Sequence, residues 1–331
     1  MSDSKKGVLI FVEQSEKEIH PVAFELLNKG KLLAEELNTN LEAIVLGPEG
    51  MNVYELIYRG ADRVYYVEHE KLGEPDLILY KNNLEHYIKE LIEPEIVLMG
   101  ATPFGRSLAP RVAISLNAGL TADCTDLQID PSDKRLVQIR PAFSENILAH
   151  IKTTSEMQMA TVRYREFAEA ERDEDRSGEI IKVEAEISGN TGLSVLERLE
   201  GKDVNITEED VIVAGGKGIK SPEDFSLLEE LAELLDGELG ASRDVVDEDY
   251  IGKEHQVGYS GHRVKPVIYI ACGISGAPQH LAGMKESDFI IAINNDPSAP
   301  IFKHCDYGIV GDLYEVVPAL IDRLDSNANI N

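Results

Sequence analysis

The sequence IACGISGAPQHLAGMKESDFIIAIN occupies residues 270–294 and contains two apolar runs around a turn and a short helical pattern. This order predicts strand, turn, helix and second strand. The turn Gly273 to Pro278 falls where a parallel strand would pass into a helix, and Pro278 suits the first helical turn because an N–H there has no helical partner. Such a turn can offer free N–H groups to an anionic ligand. His280 adds a titratable ring beside it.

The same alternation of strand and helix recurs before and after this stretch. Apolar runs predict strands at 7–13, 41–47, 63–68, 95–101 and 267–273, with helical patterns at 21–37, 51–59, 76–92 and 103–117. Residues 210–221 predict a strand and a glycine turn before a helix that runs to about Leu235, and 304–324 predict a strand that runs into a C-terminal helix. Regular alternation at this length indicates parallel sheets flanked by helices. The segments LQID, RLVQIRP, NILAHIK and MQMATVR follow one another closely between 127 and 163, and we expect them to add antiparallel strands. GEIIKVEAEI, at 178–187, predicts one more strand.

Two polar segments suggest how the chain is organised. Residues 166–178, EFAEAERDEDRSG, are highly charged and predict an exposed loop or flexible connection. Residues 190–205 are polar and rich in glycine, and we place a domain boundary there. The expectation is an α/β protein with two Rossmann-like domains, 1–200 and 205–331. Both have parallel, helix-flanked sheets, and the first has additional antiparallel strands.

Composition excludes several classes of function. The net charge of −28 argues against binding to nucleic acid, which relies on clustered Lys and Arg, and against anionic membrane surfaces. No apolar run is long enough to insert into a membrane. The N-terminal MSDSKKGVLIFVE enters a strand at once, which leaves no room for a signal peptide, so we expect a cytoplasmic protein. Cys124, Cys272 and Cys305 lack metal or iron–sulfur spacing and are read as reduced hydrophobic residues, and no metal site is expected.

Candidate ligand residues cluster in the second domain. Glycine-bearing segments at 215–218, 258–261 and 273–276 fall near strand ends or in loops, at the edge where open parallel sheets bind ligands. Each is a plain turn or a ligand loop, and together they favour a nucleotide-like ligand. Five candidates also have ordinary structural explanations, as surface, loop, capping or buried residues: Arg243, Ser242, Ser260, Asp312 and His280. No Ser–His–Asp spacing and no HExxH motif supports hydrolase chemistry.

These motifs, in this order and spacing, resemble the FAD-binding domain of the electron transfer flavoprotein alpha subunit. They are GGKGIKS (215–221), GASR (240–243), QVGYSG (256–261), ISGAPQHLAGM (274–284), IAINNDPSAPIF (291–302) and DYGIVGDLYEVVP (306–318). GATPFGRSLAPRVAISLNAGLTADCTDL, at 100–127, resembles a signature of that subunit's first domain. The resemblance covers nearly the whole chain.

The resemblance implies an electron carrier that holds one FAD in its second domain. Its first domain would bind no nucleotide and would serve partner binding, and the partner would be a beta subunit carrying AMP or a second FAD. Electrons would pass between an acyl-CoA or other flavin dehydrogenase, as in fatty acid β-oxidation, and a downstream acceptor. The implied cofactor-binding residues are Lys217, Ser242, Arg243, Gln256, Val257, Gly258, Tyr259, Ser260, Ser275, Gly276, Ala277, Pro278, Gln279, His280, Asn294, Asp312 and Leu313.

Within this set the resemblance puts Arg243, Ser260 and His280 nearest the flavin ring, and Asn294 and Asp312 on the adenosine side. His280 would donate a hydrogen bond to the pyrimidine end of the flavin, with no catalytic acid or base implied. Lys217 replaces an arginine of many relatives. An arginine could bind a phosphate through two hydrogen bonds, whereas the lysine ammonium acts on it as a point charge. FSEN, at 143–146, departs from the family's glycine-rich loop.

Three other functions remain open. Tyr259-Ser260 resembles electron-bifurcating members, which would oxidise NADH through a second FAD in the beta subunit. A stand-alone NAD- or FAD-dependent oxidoreductase and a nucleotide-sensing domain are the alternatives from other classes. The absence of an evident acid–base pair argues against the stand-alone enzyme.

Overall fold

The computed structural model describes residues 7–74, 76–142, 147–187 and 205–328. The chain divides into two compact units, Met1–Val195 and Leu196–Asn331. The predicted domain boundary falls on residues that lie outside the described ranges except for Asn205, and the FSEN loop lies outside them altogether.

A seven-stranded sheet with all strands parallel forms the centre of the first unit. In sheet order its strands are Glu179–Glu184 (β12), Arg63–Glu68 (β5), Leu41–Gly47 (β4), Val8–Val12 (β1), Ile96–Gly100 (β6), Gln158–Val162 (β11) and Gly119–Cys124 (β7). β1 and β4 are buried at every position, which explains their continuous apolar sequences, since helices cover both faces of such a sheet.

Helices pack on both faces of this sheet. They are Val22–Leu37 (α1), Tyr54–Tyr58 (α2), Leu77–Tyr87 (α3), which continues into a π-helical turn Ile88–Ile92, and Pro103–Leu116 (α4). α1 and α2 share a core with Val8 and Ile10, whereas α3 and α4 share another with Leu9 and Phe11. α1 ends as the sequence predicts, because Asn38 takes the left-handed conformation with φ 53°.

The prediction of antiparallel strands between 127 and 163 is partly wrong. Asp126–Ile129 (β8), Leu136–Ala142 (β9) and Ile147–Ile151 (β10) do form a separate antiparallel sheet, and Gln14–Ser15 (β2) pairs with Glu18–Ile19 (β3) in a small hairpin. β11, however, lies parallel between β6 and β7 in the main sheet. β7 was not predicted, because the sequence GLTADC lacks a continuous apolar run.

The charged segment 166–178 contains no helix or strand, as predicted, but ion pairs fasten it to the unit. Arg172 pairs with Glu55 at 2.9 Å, and Arg176 pairs with Asp62 at 2.7 Å. Glu25, buried on α1, also accepts the backbone N–H of Arg165 at 2.8 Å. The loop prediction is therefore confirmed, with the loop held against α1 and α2.

A five-stranded parallel sheet forms the centre of the second unit. Its strands in sheet order are Glu238–Ala241 (β14), Val211–Gly215 (β13), Ile268–Cys272 (β15), Phe289–Asn294 (β16) and Tyr307–Val310 (β17). Its helices are Phe225–Leu234 (α5), Arg243–Asp247 (α6), Pro278–Leu281 (α7) and Leu313–Ala328 (α8). α5 and α8 pack on one face, and α7 packs on the other with the loop around Val257.

The strand order of this second sheet reverses between β13 and β15. The chain moves outward from β13 to β14, returns to β15 on the other side, and continues to β16 and β17. Ligands of open α/β sheets bind outside the carboxyl ends of the strands at such a reversal. The predicted α/β class with two parallel, helix-flanked sheets is confirmed, and this topology identifies the edge at which a ligand site is expected.

Candidate functional site

Every strand of the second sheet delivers candidate residues to its carboxyl edge. The turn 215–218 follows β13, Ser242 and Arg243 follow β14, and the turn 273–278 follows β15. Asn294 ends β16, and Asp312 lies just beyond β17. The loop that begins at Gln256 joins the same edge through a bridge to Ala241. The structure therefore brings the predicted site residues to one side of one sheet.

The turns after β13 and β15 are in direct backbone contact at the reversal point. The N–H of Gly216 donates to the carbonyl of Cys272 at 2.9 Å, and that of Gly218 to the carbonyl of Gly273 at 3.0 Å. A Cβ on Gly216 would lie 2.6 Å from the Gly273 carbonyl oxygen, so a side chain has no room. The side chain of Leu313 packs against both turns, which makes it part of the floor of the edge.

The turn after β15 presents backbone N–H groups with no partner. Gly276 has φ +85°, and a Cβ there would lie 2.5 Å from the backbone nitrogen of Ile301. The carbonyl of Ser275 accepts the N–H of Ile301 at 3.1 Å and fixes the turn. Within the described part of the chain, the N–H groups of Ser275, Gly276 and Ala277 form no hydrogen bond. They are suited to oxygen atoms of an anionic ligand.

The two helices predicted after these turns are present, but they offer little helix N-terminus to a ligand. The turn 215–218 is not followed directly by an α-helix: a 3₁₀ turn, Pro222–Asp224, comes first, and α5 starts only at Phe225. α7 has four residues, so little helix dipole is available beside the 273–278 turn. Anion binding at this edge must therefore come from individual backbone donors and from side chains such as Lys217, whose Nζ lies 3.6 Å from Glu248.

The loop from Gln256 to Ser260 is fastened to both sides of the site. The N–H of Val257 donates to Ala241 at 2.9 Å, and the N–H of exposed Tyr259 donates to the carbonyl of Gln279 at 2.7 Å. Gly258, at φ +147°, allows the loop to pass close to α7. Buried Gln256 donates its amide hydrogen to Oγ of Ser260 at 3.1 Å. That bond uses Ser260 as an acceptor, so its hydroxyl hydrogen stays available for a ligand.

His280 is buried at the start of α7, with 6% of its surface exposed. Its Nε2 lies 3.0 Å from the hydroxyl of Tyr269, and its Nδ1 has no hydrogen-bond partner in the described residues. Burial lowers the pKa of His280 to about 4, and the nearby Val257 carbonyl opposes part of that shift. The ring is therefore neutral at physiological pH, and its hydrogen bonds are those of a neutral imidazole.

Ser242 precedes α6 and Arg243 begins it, and the two residues differ in environment. Oγ of Ser242 is buried and has no hydrogen-bond partner in the described residues. Arg243 is exposed, and its Nε lies 3.0 Å from Asp247 one helical turn away. An exposed pair of this kind contributes about 0–1 kcal/mol, so the guanidinium can be redirected at small cost.

Asn294 and Asp312 make hydrogen bonds within the protein. The Asn294 amide donates to the carbonyl of Ile274 at 2.9 Å, and its oxygen accepts the N–H of Asp296 at 2.9 Å. Asp312 accepts the N–H of Tyr314 at 3.0 Å, which is the capping role for α8 that its sequence position also allows. Asn294 thus steadies the 273–278 turn and keeps one amide hydrogen.

Together these features fit an elongated ligand with an anionic part. Ser242 Oγ and His280 Nδ1 are buried polar atoms without partners, and native structures rarely leave such atoms unbonded. They lie in the same unit as the glycine turns and their free N–H groups. The remaining candidates, Pro278 and Gln279, are exposed beside these turns, at the start of α7. No group of His, Cys, Asp and Glu that could hold a metal ion occurs in the described ranges.

One residue of this region was missed by the sequence analysis. Tyr269 lies in the middle of β15, where VIYIAC reads only as a buried strand. Alternation along the strand puts Tyr269 and Ala271 in the core shared with α7, and Ile270 in the other. Because α7 follows β15 directly, this alternation could have predicted that Tyr269 faces α7. It could not have identified His280 as the residue that Tyr269 contacts.

The reversal point and the unpaired donors are typical of an α/β protein that takes a nucleotide-like ligand at the carboxyl edge of its sheet. Models of two families match this chain: the electron transfer flavoprotein domain over residues 8–188, and the electron transfer flavoprotein FAD-binding domain over residues 205–285. The chain belongs to the electron transfer flavoprotein alpha subunit family, as its motifs suggested. Its function is accordingly electron transfer by a flavin-binding subunit.

Full-length relatives support this assignment. The chain is 45% identical over 324 residues to the electron transfer flavoprotein subunit alpha of Thermoanaerobacterium thermosaccharolyticum, which covers 96% of this chain and 98% of the relative. It is 44% identical to the corresponding subunit of Megasphaera elsdenii, with 98% of each chain covered. It is also 38% identical to the lactate dehydrogenase (NAD(+),ferredoxin) subunit LctC of Acetobacterium woodii, over 98% of this chain and 78% of the relative.

Proposed function

We propose that the flavin is FAD and that it binds along the carboxyl edge of the second sheet. The observation that carries this proposal is the pair of buried, unpartnered atoms, Ser242 Oγ and His280 Nδ1, in the same unit as the free N–H groups of the 273–278 turn. A dinucleotide has both the polar ring and the phosphates that such a set of donors requires. The match of residues 205–285 to an FAD-binding domain model supports the same cofactor.

Each part of the edge has a role in this proposal. The N–H groups of Ser275, Gly276 and Ala277 receive the pyrophosphate, and Lys217 supplies positive charge to it. Ser260 and His280 donate hydrogen bonds to the ring, with Arg243 turned away from Asp247 to face it. Asn294 and Asp312 bind the adenosine side. The flavin supplies the redox chemistry, whereas these residues bind it and adjust its electrostatic surroundings.

The proposed partner is a beta subunit that carries AMP or a second FAD, with the first unit of this chain as the partner-binding part. Full-length similarity to alpha subunits supports a heterodimer over a stand-alone NAD- or FAD-dependent oxidoreductase. We place the complex in the cytoplasm, between an acyl-CoA or other flavin dehydrogenase and a downstream acceptor. Every helix of the described residues is too short or too polar to span a bilayer.

Electron bifurcation is the second candidate function. The similarity to LctC, whose name includes both NAD(+) and ferredoxin, favours it. In that form the beta subunit would hold a second FAD that oxidises NADH. The adjacent pair Tyr259-Ser260 is the feature of this chain that agrees with that type.

Co-purification with the beta subunit separates these possibilities. The chain is co-expressed with the product of a neighbouring gene, and FAD and AMP are counted per heterodimer after denaturation. One FAD and one AMP, with no NADH oxidation, support the simple carrier. Two FADs with NADH oxidation support bifurcation. A heterodimer or single chain without FAD would overturn the proposal.

A further inference from the structure

The hydroxyl of Tyr269 constrains where the proton of His280 resides. Tyr269 is fully buried on β15, and its oxygen lies 3.0 Å from Nε2 of His280. In the described residues this is the sole hydrogen bond of that hydroxyl. The two side chains also pack ring against ring, with centroids 6.1 Å apart. Tyr269 and His280 thus form a buried hydrogen-bonded pair in the interior of the second unit.

Two proton arrangements are possible across this contact. A neutral imidazole has one N–H donor and one acceptor nitrogen, and a tyrosine hydroxyl has a single hydrogen to donate. If Nε2 carried the proton, it would donate to Tyr269, and the buried Tyr269 hydrogen would have no acceptor. If Tyr269 donates to Nε2, its hydrogen is used and the imidazole proton resides on Nδ1. Each arrangement leaves one buried donor without a hydrogen bond. In the first it is the Tyr269 hydroxyl, which has no other acceptor, and in the second it is Nδ1–H, which has the Val257 carbonyl nearby and can reach a ligand, so the second arrangement is favoured.

The other groups around the ring agree with a proton on Nδ1. The Val257 carbonyl and the Asp244 carboxylate both favour a proton on the ring, although Nδ1 forms no hydrogen bond with either in the described residues. Nε2 is already in contact with Tyr269, which leaves Nδ1 as the nitrogen that benefits from the carbonyl. Burial keeps the ring neutral, so these two groups favour the position of one proton without adding a second.

We propose that Tyr269 is a positioning residue that holds His280 as its Nδ1–H tautomer. The hydrogen bond that His280 offers to a bound flavin is then donated by Nδ1. Without the Tyr269 hydroxyl the ring can take either tautomer. In the Nε2–H tautomer, Nδ1 presents a lone pair to the flavin where a hydrogen-bond donor is required. The role toward the flavin rests on the proposed function, but the tautomer itself does not.

The test is ¹⁵N NMR of the heterodimer with ¹⁵N-labelled histidine, in which a protonated and an unprotonated ring nitrogen have distinct chemical shifts. We expect His280, assigned by its loss in His280→Gln, to show a protonated Nδ1. Tyr269→Phe should reduce the ratio of the Nδ1–H to the Nε2–H tautomer about tenfold. The first flavin midpoint potential should fall correspondingly, by up to about 59 mV for one electron.

Tyr250→Phe is the matched control, because its hydroxyl lies in the same unit and its 3.4 Å hydrogen bond is to Lys220. It should change neither the tautomer nor the potential. An Nε2–H tautomer in the wild type, or an unchanged ratio in Tyr269→Phe, would overturn the proposal. If the variant does not fold, the wild-type spectrum still decides. Absence of flavin would refute the proposed function alone, since the spectrum of the colourless complex still reports the tautomer.

Discussion

The N–H of Ser242 donates to the carbonyl of Gly215 at 2.9 Å, which links the ends of β14 and β13, while its hydroxyl is buried without a partner. We expect Ser242→Ala to weaken FAD binding about 2- to 12-fold, the value of one hydrogen bond of 0.5–1.5 kcal/mol. The flavin-free chain should lose no stability, because the removed group had no partner. Fluorescence titration with FAD and urea unfolding of the flavin-free chain measure the two effects.

Ser226→Ala is the control for this substitution, since Ser226 is exposed on α5 and bonds to the carbonyl of Glu223. It should leave FAD affinity unchanged. Loss of stability in Ser242→Ala with unchanged affinity would mean that the hydroxyl serves the fold.

Gly276→Ala tests the close contact in the turn after β15. Both its φ of +85° and the 2.5 Å approach of a Cβ to the Ile301 nitrogen oppose a side chain. We expect a loss of about 1–3 kcal/mol in stability and weaker FAD binding. Gly50→Ala is the matched control, because Gly50 has φ +86° but its Cβ would meet only Lys17 Nζ at 3.9 Å. Equal stability losses in urea unfolding would contradict the importance of the contact.

His280 predicts a loss of stability as the pH falls. Burial lowers its pKa from 6.5 to about 4, so between these values the unfolded chain binds a proton that the folded chain does not. Stability therefore decreases from pH 6.5 to pH 4, by about 3 kcal/mol from this residue. Urea unfolding of flavin-free wild type and His280→Gln across this range measures it.

The variant should lose that share of the pH dependence and keep the share from His262, whose pKa is also lowered by burial. Parallel stability curves for the two proteins would show that His280 titrates normally.

Glu25→Gln should loosen the charged loop of the first unit. The Glu25 carboxylate accepts the N–H groups of Arg165 at 2.8 Å and Phe167 at 3.2 Å, and burial raises its pKa. The glutamine amide has one acceptor oxygen where the carboxylate has two, so the N–H of either Arg165 or Phe167 would face the amide NH₂ group. We expect a stability loss of about 1–3 kcal/mol in urea unfolding and faster hydrogen exchange at 165–170. Glu35→Gln, an exposed change on the same helix, should have little effect, and equal losses would refute this role.

Gln256 and Ser260 should act as a pair in FAD binding. Because Gln256 donates to Ser260 Oγ at 3.1 Å, removing either side chain should misdirect or remove the same hydroxyl. The affinity losses of Gln256→Ala and Ser260→Ala should therefore not add in the double variant. Isothermal titration of the three variants with FAD gives the coupling energy. Strictly additive losses would show that the two residues contribute to FAD binding independently.

The sequence was sufficient to predict most strands of the two parallel sheets, because those strands are apolar runs separated by helices, but it did not predict β14, whose sequence is ELGA. It did not reveal β7 or the parallel pairing of β11, since pairing is decided by contacts distant along the chain. For β11 the neighbours are β6 and β7 rather than the strands that precede it in sequence. The glycine turns were predicted as turns, whereas their contact across the reversal point depends on the strand order.

Side-chain environments were the least predictable part of the candidate site. Arg243 allowed a surface role or a ligand contact, and the sequence did not reveal its exposed ion pair with Asp247. Asp312 allowed two readings, and the structure shows the cap. The burial of Ser242 and the contact between Tyr269 and His280 arise from elements brought together only in the folded unit.

The packing of Leu313 against the glycine turns has a consequence for biosynthesis. The turns are formed by β13 and β15, but their floor belongs to α8, the last described helix in the order of synthesis. A nascent chain that has emerged only through β16 therefore has both glycine turns but lacks the α8 residue Leu313 that packs against them. Flavin loading should follow completion of α8, so premature termination before that helix should yield a colourless product rather than a weaker carrier.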